Sequence, residues 1–189
     1  SYSEPVIDSE LIEAIRSGEQ AAFKQMYEQC IRYVYAIVKR YVSNDSDHQD
    51  LIQEIFARVF VKIDTYDYSK GDFKYWLRRL AINECLMHYR KNNSGGKIIP
   101  LKSVAHYEAE EKIQLNGMSK AEVAAFLQRM PEGYKQIFMM VVIDDYTHQE
   151  AARMLDISPE TSRSQLSRAK KWLKDNLSNN NLKFLASGF

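Results

Sequence analysis

The stretch YTHQEAARMLDISPETSRSQLSRAK, Tyr146 to Lys170, decides how the C-terminal half of this chain folds. Thr147 followed three residues later by Glu150 spells a capping box and opens a short helix. Ala151, Ala152 and Leu155 give that helix a small apolar face. Asp156-Ile157-Ser158 fits a tight turn. Ser158 then suits an N-cap, and Pro159 takes the first helical position, where its missing N–H removes no bond. Leu166, Ala169, Leu173 and Leu177 line one side of a second helix at helical spacing. Two capped helices joined by a short turn read as a helix-turn-helix.

The other side of the second helix carries the meaning. With Leu166 at the buried centre and about 100° per residue, Glu160, Thr161, Ser164, Ser167, Arg168 and Lys171 point outward, and Arg163 and Lys170 flank them. A short, polar, mostly basic face suits a DNA major groove. There Arg pairs with guanine edges, Ser and Thr accept several bases, and Lys meets phosphates. On these residues alone, a solvated face of an ordinary helical hairpin would look the same.

Bulk charge says little, because the 189 residues sum to +1. The distribution says more. Lys74, Arg78, Arg79, Arg90 and Lys91 stand against Glu84 alone between Phe73 and Lys91. Arg163, Arg168, Lys170, Lys171 and Lys174 stand against Glu160 alone between Glu160 and Lys174. Two separated basic stretches in a nearly neutral chain predict two contacts with a polyanion. Cys30 and Cys85 lie in apolar helical patterns without a CxxC, and read as reduced core thiols. No run is long enough to span a membrane and the start is too acidic for a secretory signal, so no membrane insertion and a cytoplasmic location are expected.

Almost the whole chain has helical periodicity. Expected helices run over Glu10–Ser17 with Ser9 as cap, Glu19–Tyr41, Asp47–Ile63 with Phe60 among its inward residues, and Phe73–Lys91 capped by Asp72. Thr65 to Gly71 is a polar, tyrosine-bearing loop. Asn92 to Gly96 breaks the pattern, and the sequence to Gly117 reads as a linker, with room for a short helix near Tyr107 to Ile113. Ser119 and Glu122 form another capping box, a turn follows at Pro131 to Tyr134, and Gln136 to Ile143 is a strongly apolar helix. The acidic pair Asp144-Asp145 reads as loop solvation and helix-terminus charge. No segment reads as a strand, and the tail from Asn179 lacks pattern. The expectation is an all-α chain of two small helical domains, 8–91 and 119–178, joined by a flexible linker at 92–118.

Catalytic patterns are not visible. His48, His88, His106 and His148 are scattered, without HExxH or Cys/His metal spacing, and His148 suits a polar surface role. Gly95-Gly96 follows no strand and cradles no phosphate. No cofactor, metal or enzymatic activity is expected.

Two segments together resemble the extracytoplasmic-function (ECF) sigma factors of bacterial RNA polymerase. DLIQEIFARVF, Asp50–Phe60, followed by FKYWLRRLAIN, Phe73–Asn83, is similar to the family's region 2. Leu127 to Leu173, with its Met130-Pro131 turn and SRAK ending, is similar to region 4. The resemblance implies that Asp50, Gln53 and Glu54 meet the core polymerase. It implies that Tyr66, Tyr68, Phe73, Tyr75, Arg78, Arg79, Asn83, Arg90 and Lys91 read and melt the promoter −10 element. Stacking of an unpaired base on an aromatic ring is worth about 1–3 kcal/mol. Trp76 reads as core as much as DNA. The outward set Glu160, Thr161, Arg163, Ser164, Arg168 and Lys171 would read the −35 element. Two positions depart from the family pattern: Ser162 stands where an apolar residue is usual, and Gln165 where arginine is frequent. The implied partners are core RNA polymerase, promoter DNA and an anti-sigma protein. Taken without the resemblance, the helix-turn-helix also fits a stand-alone regulator with an N-terminal dimerisation or effector domain, and the exposed side of Asp47 to Lys62 fits a solvated face with a Glu54–Arg58 pair.

Overall fold

Asp8, rather than Ser9, starts the first helix: its side chain accepts a hydrogen bond from the Leu11 amide at 2.8 Å. The computed structural model describes residues 4–92, 111–115, 125–177 and 182–186, which fall into two compact units, Ser1–Gly95 and Gly96–Phe189. In the first unit, α1 is Ser9–Arg16, α2 Gln20–Tyr41, α3 His48–Lys62 and α4 Phe73–Asn92. Met26, Cys30, Val34 and Ile37 of α2 form a stripe with no solvent exposure. Leu51, Ile55 and Val59 of α3 and Leu77, Ala81 and Cys85 of α4 close against it. Each set recurs at three- and four-residue steps, so each helix buries one stripe and all three share one core. Phe60, expected inward, is 55% exposed, and its ring meets that of Phe23 at right angles with centroids 5.3 Å apart. Ile52, Ile55, Phe56 and Val59 already fill the stripe, and Phe60 lies at its border.

In the second unit a helical turn at 125–128 precedes α5, Glu132–Phe138. The apolar run then continues as one π-helical turn, Met139–Ile143. The extra residue per turn brings both Met139 and Met140 into the core and leaves Ile143 exposed. α6 is His148–Leu155 and α7 is Pro159–Asn176. Asp144, expected in solvent, is buried, whereas Asp145 is exposed in the left-handed region at φ 57°. The π-turn ends on the bond from the Asp144 amide to the Met139 carbonyl, and this draws Asp144 inward with the backbone.

Strands β1, Glu111–Leu115, and β2, Leu182–Ala186, pair antiparallel, with Ile113 opposite Phe184. This corrects the expectation of no strand, and it puts β1 where a linker or short helix was expected. Each strand is only five residues long. Alternation that short does not stand out from a single sequence, and the pairing joins segments about 70 residues apart. The Ser119/Glu122 capping box and His106 lie outside the described residues.

Candidate nucleic-acid interface

The helix-turn-helix forms as its caps predict. The Thr147 amide donates to Glu150 Oε2 at 2.9 Å and the Glu150 amide to Thr147 Oγ1 at 3.2 Å. The turn rests on Asp156, which adopts the left-handed conformation, while the Ile157 amide returns to the Ala152 carbonyl. Ser158 Oγ accepts the Thr161 amide at 3.1 Å and starts α7.

Along α7, Leu166, Ala169 and Leu173 are buried as expected, and Ser162 and Gln165 join them on the same stripe. Ser162 is fully enclosed and its Oγ lies 2.7 Å from His148 Nδ1 on α6. The residue that breaks the family's apolar pattern therefore meets a polar partner, and the half-buried His148 ties two helices together. Glu160 and Lys171 are exposed; Thr161, Arg163, Ser164 and Arg168 are half-buried along the outer side. Glu160 and Arg163 lie 3.7 Å apart, Ser164 Oγ donates to the Thr161 carbonyl, and Lys171 pairs with Asp175 at 3.0 Å. All six expected groove residues thus share the accessible side of one capped helix.

The loop between α3 and α4 is more ordered than its polar sequence suggests. Tyr66 is buried against Phe73 and Trp76, with ring centroids 5.4 and 5.8 Å away, and its hydroxyl donates to the Gly71 carbonyl at 3.0 Å. Phe73 is 1% exposed. Neither ring offers a face to a base, so these two expected stacking residues are the floor of the loop, and the half-buried Trp76 packs against both. An aromatic at the start of an amphipathic helix serves a core and a base equally well, and sequence alone does not separate the two. Tyr68 and Tyr75 are the rings left accessible, at 42% and 50%. Lys74 Nζ and Arg78 Cζ sit 5.0 and 5.3 Å from the Tyr75 ring centroid, so an aromatic surface is flanked by two cations. Arg79, Arg90 and Lys91 are exposed on the same helix, and Asn83 is half-buried.

Sequence reasoning overlooked Arg16 of α1. It donates to the Ile63 carbonyl at 3.2 Å, to the Tyr66 carbonyl, and to the Tyr68 hydroxyl at 3.1 Å. Tyr68 in turn donates to Glu13. That bond, together with the Arg16 guanidinium, holds the Glu13 carboxyl below its ordinary range, and the Glu13 carboxylate pushes the Tyr68 phenol up. No local signal marks Arg16 as a loop contact, since its partners in the loop lie about 50 residues away.

On α3, Asp50, Gln53 and Glu54 are exposed. The Glu54–Arg58 pair of the alternative reading does not form: Arg58 Nε instead lies 3.2 Å from the buried Glu84 of α4. Asp50 and Glu54 border a groove of about 670 Å³ whose walls include Val61 and Met87, both more than half exposed. Among the described residues, no group of His, Cys, Asp and Glu could hold a metal ion.

The sequence matches the Sigma-70 region 2 family over residues 26–95 and the Sigma-70 region 4 family over residues 120–173. The chain belongs to the ECF sigma factors. It is 26% identical to the ECF RNA polymerase sigma-E factor of Escherichia coli K12 over 185 residues, covering 89% of this chain and 93% of that one. It is 23% identical to the ECF RNA polymerase sigma factor SigW of Bacillus subtilis 168, covering 88% and 94%. In fold it is similar to the sigma factor RpoE co-crystallised with the anti-sigma factor NepR from Bartonella quintana, with a TM-score of 0.54 at 18% identity, covering 81% and 94%. It is also similar to CnrH in complex with the cytosolic domain of CnrY, with a TM-score of 0.51 at 21% identity, covering 87% and 93%. As an ECF sigma factor it directs promoter-specific initiation by RNA polymerase. No described helix is long and apolar enough to cross a membrane.

Proposed function

We propose the following division of labour within this sigma factor. A first domain, 8–91, docks on core polymerase through Asp50, Gln53 and Glu54 and reads the melted −10 strand with Tyr68, Tyr75 and Asn83. Arg78, Arg79, Arg90 and Lys91 hold its phosphates. A second domain, 119–178, reads the −35 duplex with Glu160, Thr161, Ser164 and Arg168, while Arg163 and Lys171 contact the backbone. It acts by binding, without chemistry of its own, in the cytoplasm where polymerase and promoter are. An anti-sigma protein of the kind bound to the Bartonella quintana relative would silence it by covering these surfaces.

The observation that carries this reading is the sorting of aromatic residues at the start of α4. Phe73 is buried, whereas Tyr75, two residues on, is half exposed between two cations. Base-tolerant single-strand binding calls for a ring to stack on and cations to hold the backbone. The deciding experiment is reconstituted transcription with purified protein and core polymerase on a promoter library. Specific starts that need this protein, and that weaken on Tyr75→Ala with −10 sequence dependence, support the assignment. Starts whose −10 preferences ignore Tyr75 and the loop would reject it. Tight binding to one duplex without core polymerase would instead favour the stand-alone regulator.

A further inference from the structure

We propose that Arg16 is a positioning residue for −10 recognition: from α1 it fixes the 63–71 loop, and with it the orientation of Tyr68. The inference rests on the reading that this loop meets the −10 strand.

Two 3-10 turns, Ile63–Thr65 and Tyr68–Lys70, shape the loop locally. Asp67 Oδ1 accepts from the Ser69 amide and hydroxyl at 2.9 and 2.7 Å, which shapes the tip, and the Tyr66 hydroxyl closes the base on Gly71. The entry, Ile63–Thr65, is the first of these turns and closes by the Tyr66 amide on the Ile63 carbonyl at 3.1 Å; carbonyls carry a second lone pair, so those of Ile63 and Tyr66 can take further donors. Arg16 supplies the donors. One Nη reaches the carbonyls of Ile63 and Tyr66, and the other reaches the Tyr68 hydroxyl and lies 2.6 Å from Glu13 Oε1. The guanidinium also sits 5.3 Å from the Tyr68 ring centroid, and its Nε lies 3.9 Å from Asp64 Oδ1. A planar fork of five donors can serve several acceptors at once, and the single ammonium of lysine cannot hold the same set.

The consequence is orientation. The Tyr68 hydroxyl accepts from Arg16 and donates to Glu13, so one end of the ring is pinned to α1 while 42% of the residue stays exposed. A pinned ring meets an unstacked base without first losing rotamer freedom, whereas a free one pays that entropy on binding. The side chain of Arg16 itself is only 20% exposed, so its effect on DNA passes through the loop.

The test is a −10 selectivity profile, measured with reconstituted holoenzyme on promoters varied one base at a time. The proteins are wild type, Arg16→Ala, Arg16→Lys, a variant with Tyr68–Lys70 replaced by Gly-Ser-Gly, and that replacement combined with Arg16→Ala. Each is checked for core binding and melting. We expect Arg16→Ala to cut the preference at one or two −10 positions by about tenfold, in the range of one lost base-stacking contact. The loop replacement should erase the preference at the same positions, the combined variant should be no worse than the replacement, and Arg16→Lys should recover only part. A profile shifted by the replacement but not by Arg16→Ala overturns the positioning role and leaves the loop reading intact. A uniform loss at every −10 base, matching lowered stability or core binding, also overturns it. If neither variant changes the profile, the loop does not read the −10 element and both ideas fall.

Discussion

His148 Nδ1 and Ser162 Oγ meet at 2.7 Å between the two helices of the helix-turn-helix, with Ser162 wholly enclosed. The bond fixes how the recognition helix α7 is rolled against α6. Ser162→Ala keeps the fold and removes one partner. It should lower the stability of the second unit by about 1 kcal/mol, the usual size of such a bond. The chain has two tryptophans, Trp76 and Trp172, one in each unit, and Trp172 packs on Phe126 at 5.3 Å. A Trp76→Phe background therefore lets urea unfolding of the second unit be followed by Trp172 fluorescence alone. A Ser162→Ala midpoint identical to the parent would show that the bond does not contribute.

Glu84 is buried on α4 and its charge is met by Arg58 of α3 at 3.2 Å. Removing one partner of such a pair strands the other, at a cost of about 3–5 kcal/mol when both are fully buried. Arg58 is 44% exposed, so water can reach the site and the cost of Arg58→Ala should fall to about 1–2 kcal/mol. Trp76 fluorescence during urea unfolding reads this in the first unit. Asp50 and Glu54 behave differently. Among the described residues neither has an ion-pair partner on α3 or α4, so reversing both charges should weaken binding to core polymerase while leaving that unfolding curve unchanged. Undiminished core binding by a folded D50K/E54K variant would remove them from the docking surface.

Both cysteines should be chemically silent in the folded protein. Burial pushes the Cys30 thiol up to about 12 and pushes the Cys85 thiol up as well, and neither side chain is accessible. Since the thiolate is the reactive form, a thiol reagent at pH 8 should label neither residue under native conditions and both after denaturation. Fast native labelling of Cys85 would mean that α4 opens locally.

The parts of this fold that could be read from sequence are those written over neighbouring residues. Thr147 and Glu150, Ser158 and Pro159, and the Leu166–Ala169–Leu173 stripe each declare themselves within one or two helical turns. Several misreadings involve choices made between segments far apart in sequence. Tyr66 and Phe73 look like stacking residues until Trp76 packs on them. Ser162 looks like a departure from pattern until His148 is seen opposite it. Arg16 looks like an ordinary basic residue ending a helix, because its acceptors come from a loop about 50 residues away. Glu54 and Arg58 stand four residues apart, the spacing of a helical pair, yet the buried Glu84 competes better for the arginine because it has far less water to fall back on than the exposed Glu54.

The Glu13 carboxyl sets a pH limit on the α1–loop contact. Its folded value is depressed, first by the Tyr68 hydroxyl and then by Arg16. A depressed carboxyl contributes stability that is fully present above its unfolded value and is lost as pH falls through the folded one. The contact should thus persist at neutral pH and through the ordinary carboxylate range, and loosen only in more acid solution. Carbon NMR of the Glu13 carboxyl gives its midpoint directly. Tyr68→Phe removes the first cause and should move that midpoint upward; an unmoved midpoint would show that the hydroxyl contact is absent in solution.

On α7, Arg168 and Lys171 should fail in different ways when truncated. Arg168 is half-buried on the outer side of α7, and under the proposed −35 reading its fork would pair with a guanine edge. Lys171 is exposed one turn further along and its ammonium already pairs with Asp175, which suits a contact with a phosphate at the groove margin. Arg168→Ala should cost about 1–3 kcal/mol on the preferred −35 sequence and little on a scrambled one, so that selectivity falls. Lys171→Ala should weaken both sequences alike, and the slope of log affinity against log salt should drop by about one charge. Holoenzyme titrated with promoter fragments at several salt concentrations separates the two. An Arg168 variant that loses affinity uniformly, with a reduced salt slope, would make it a backbone contact and move base reading toward Thr161 and Ser164 in the first turns of the helix.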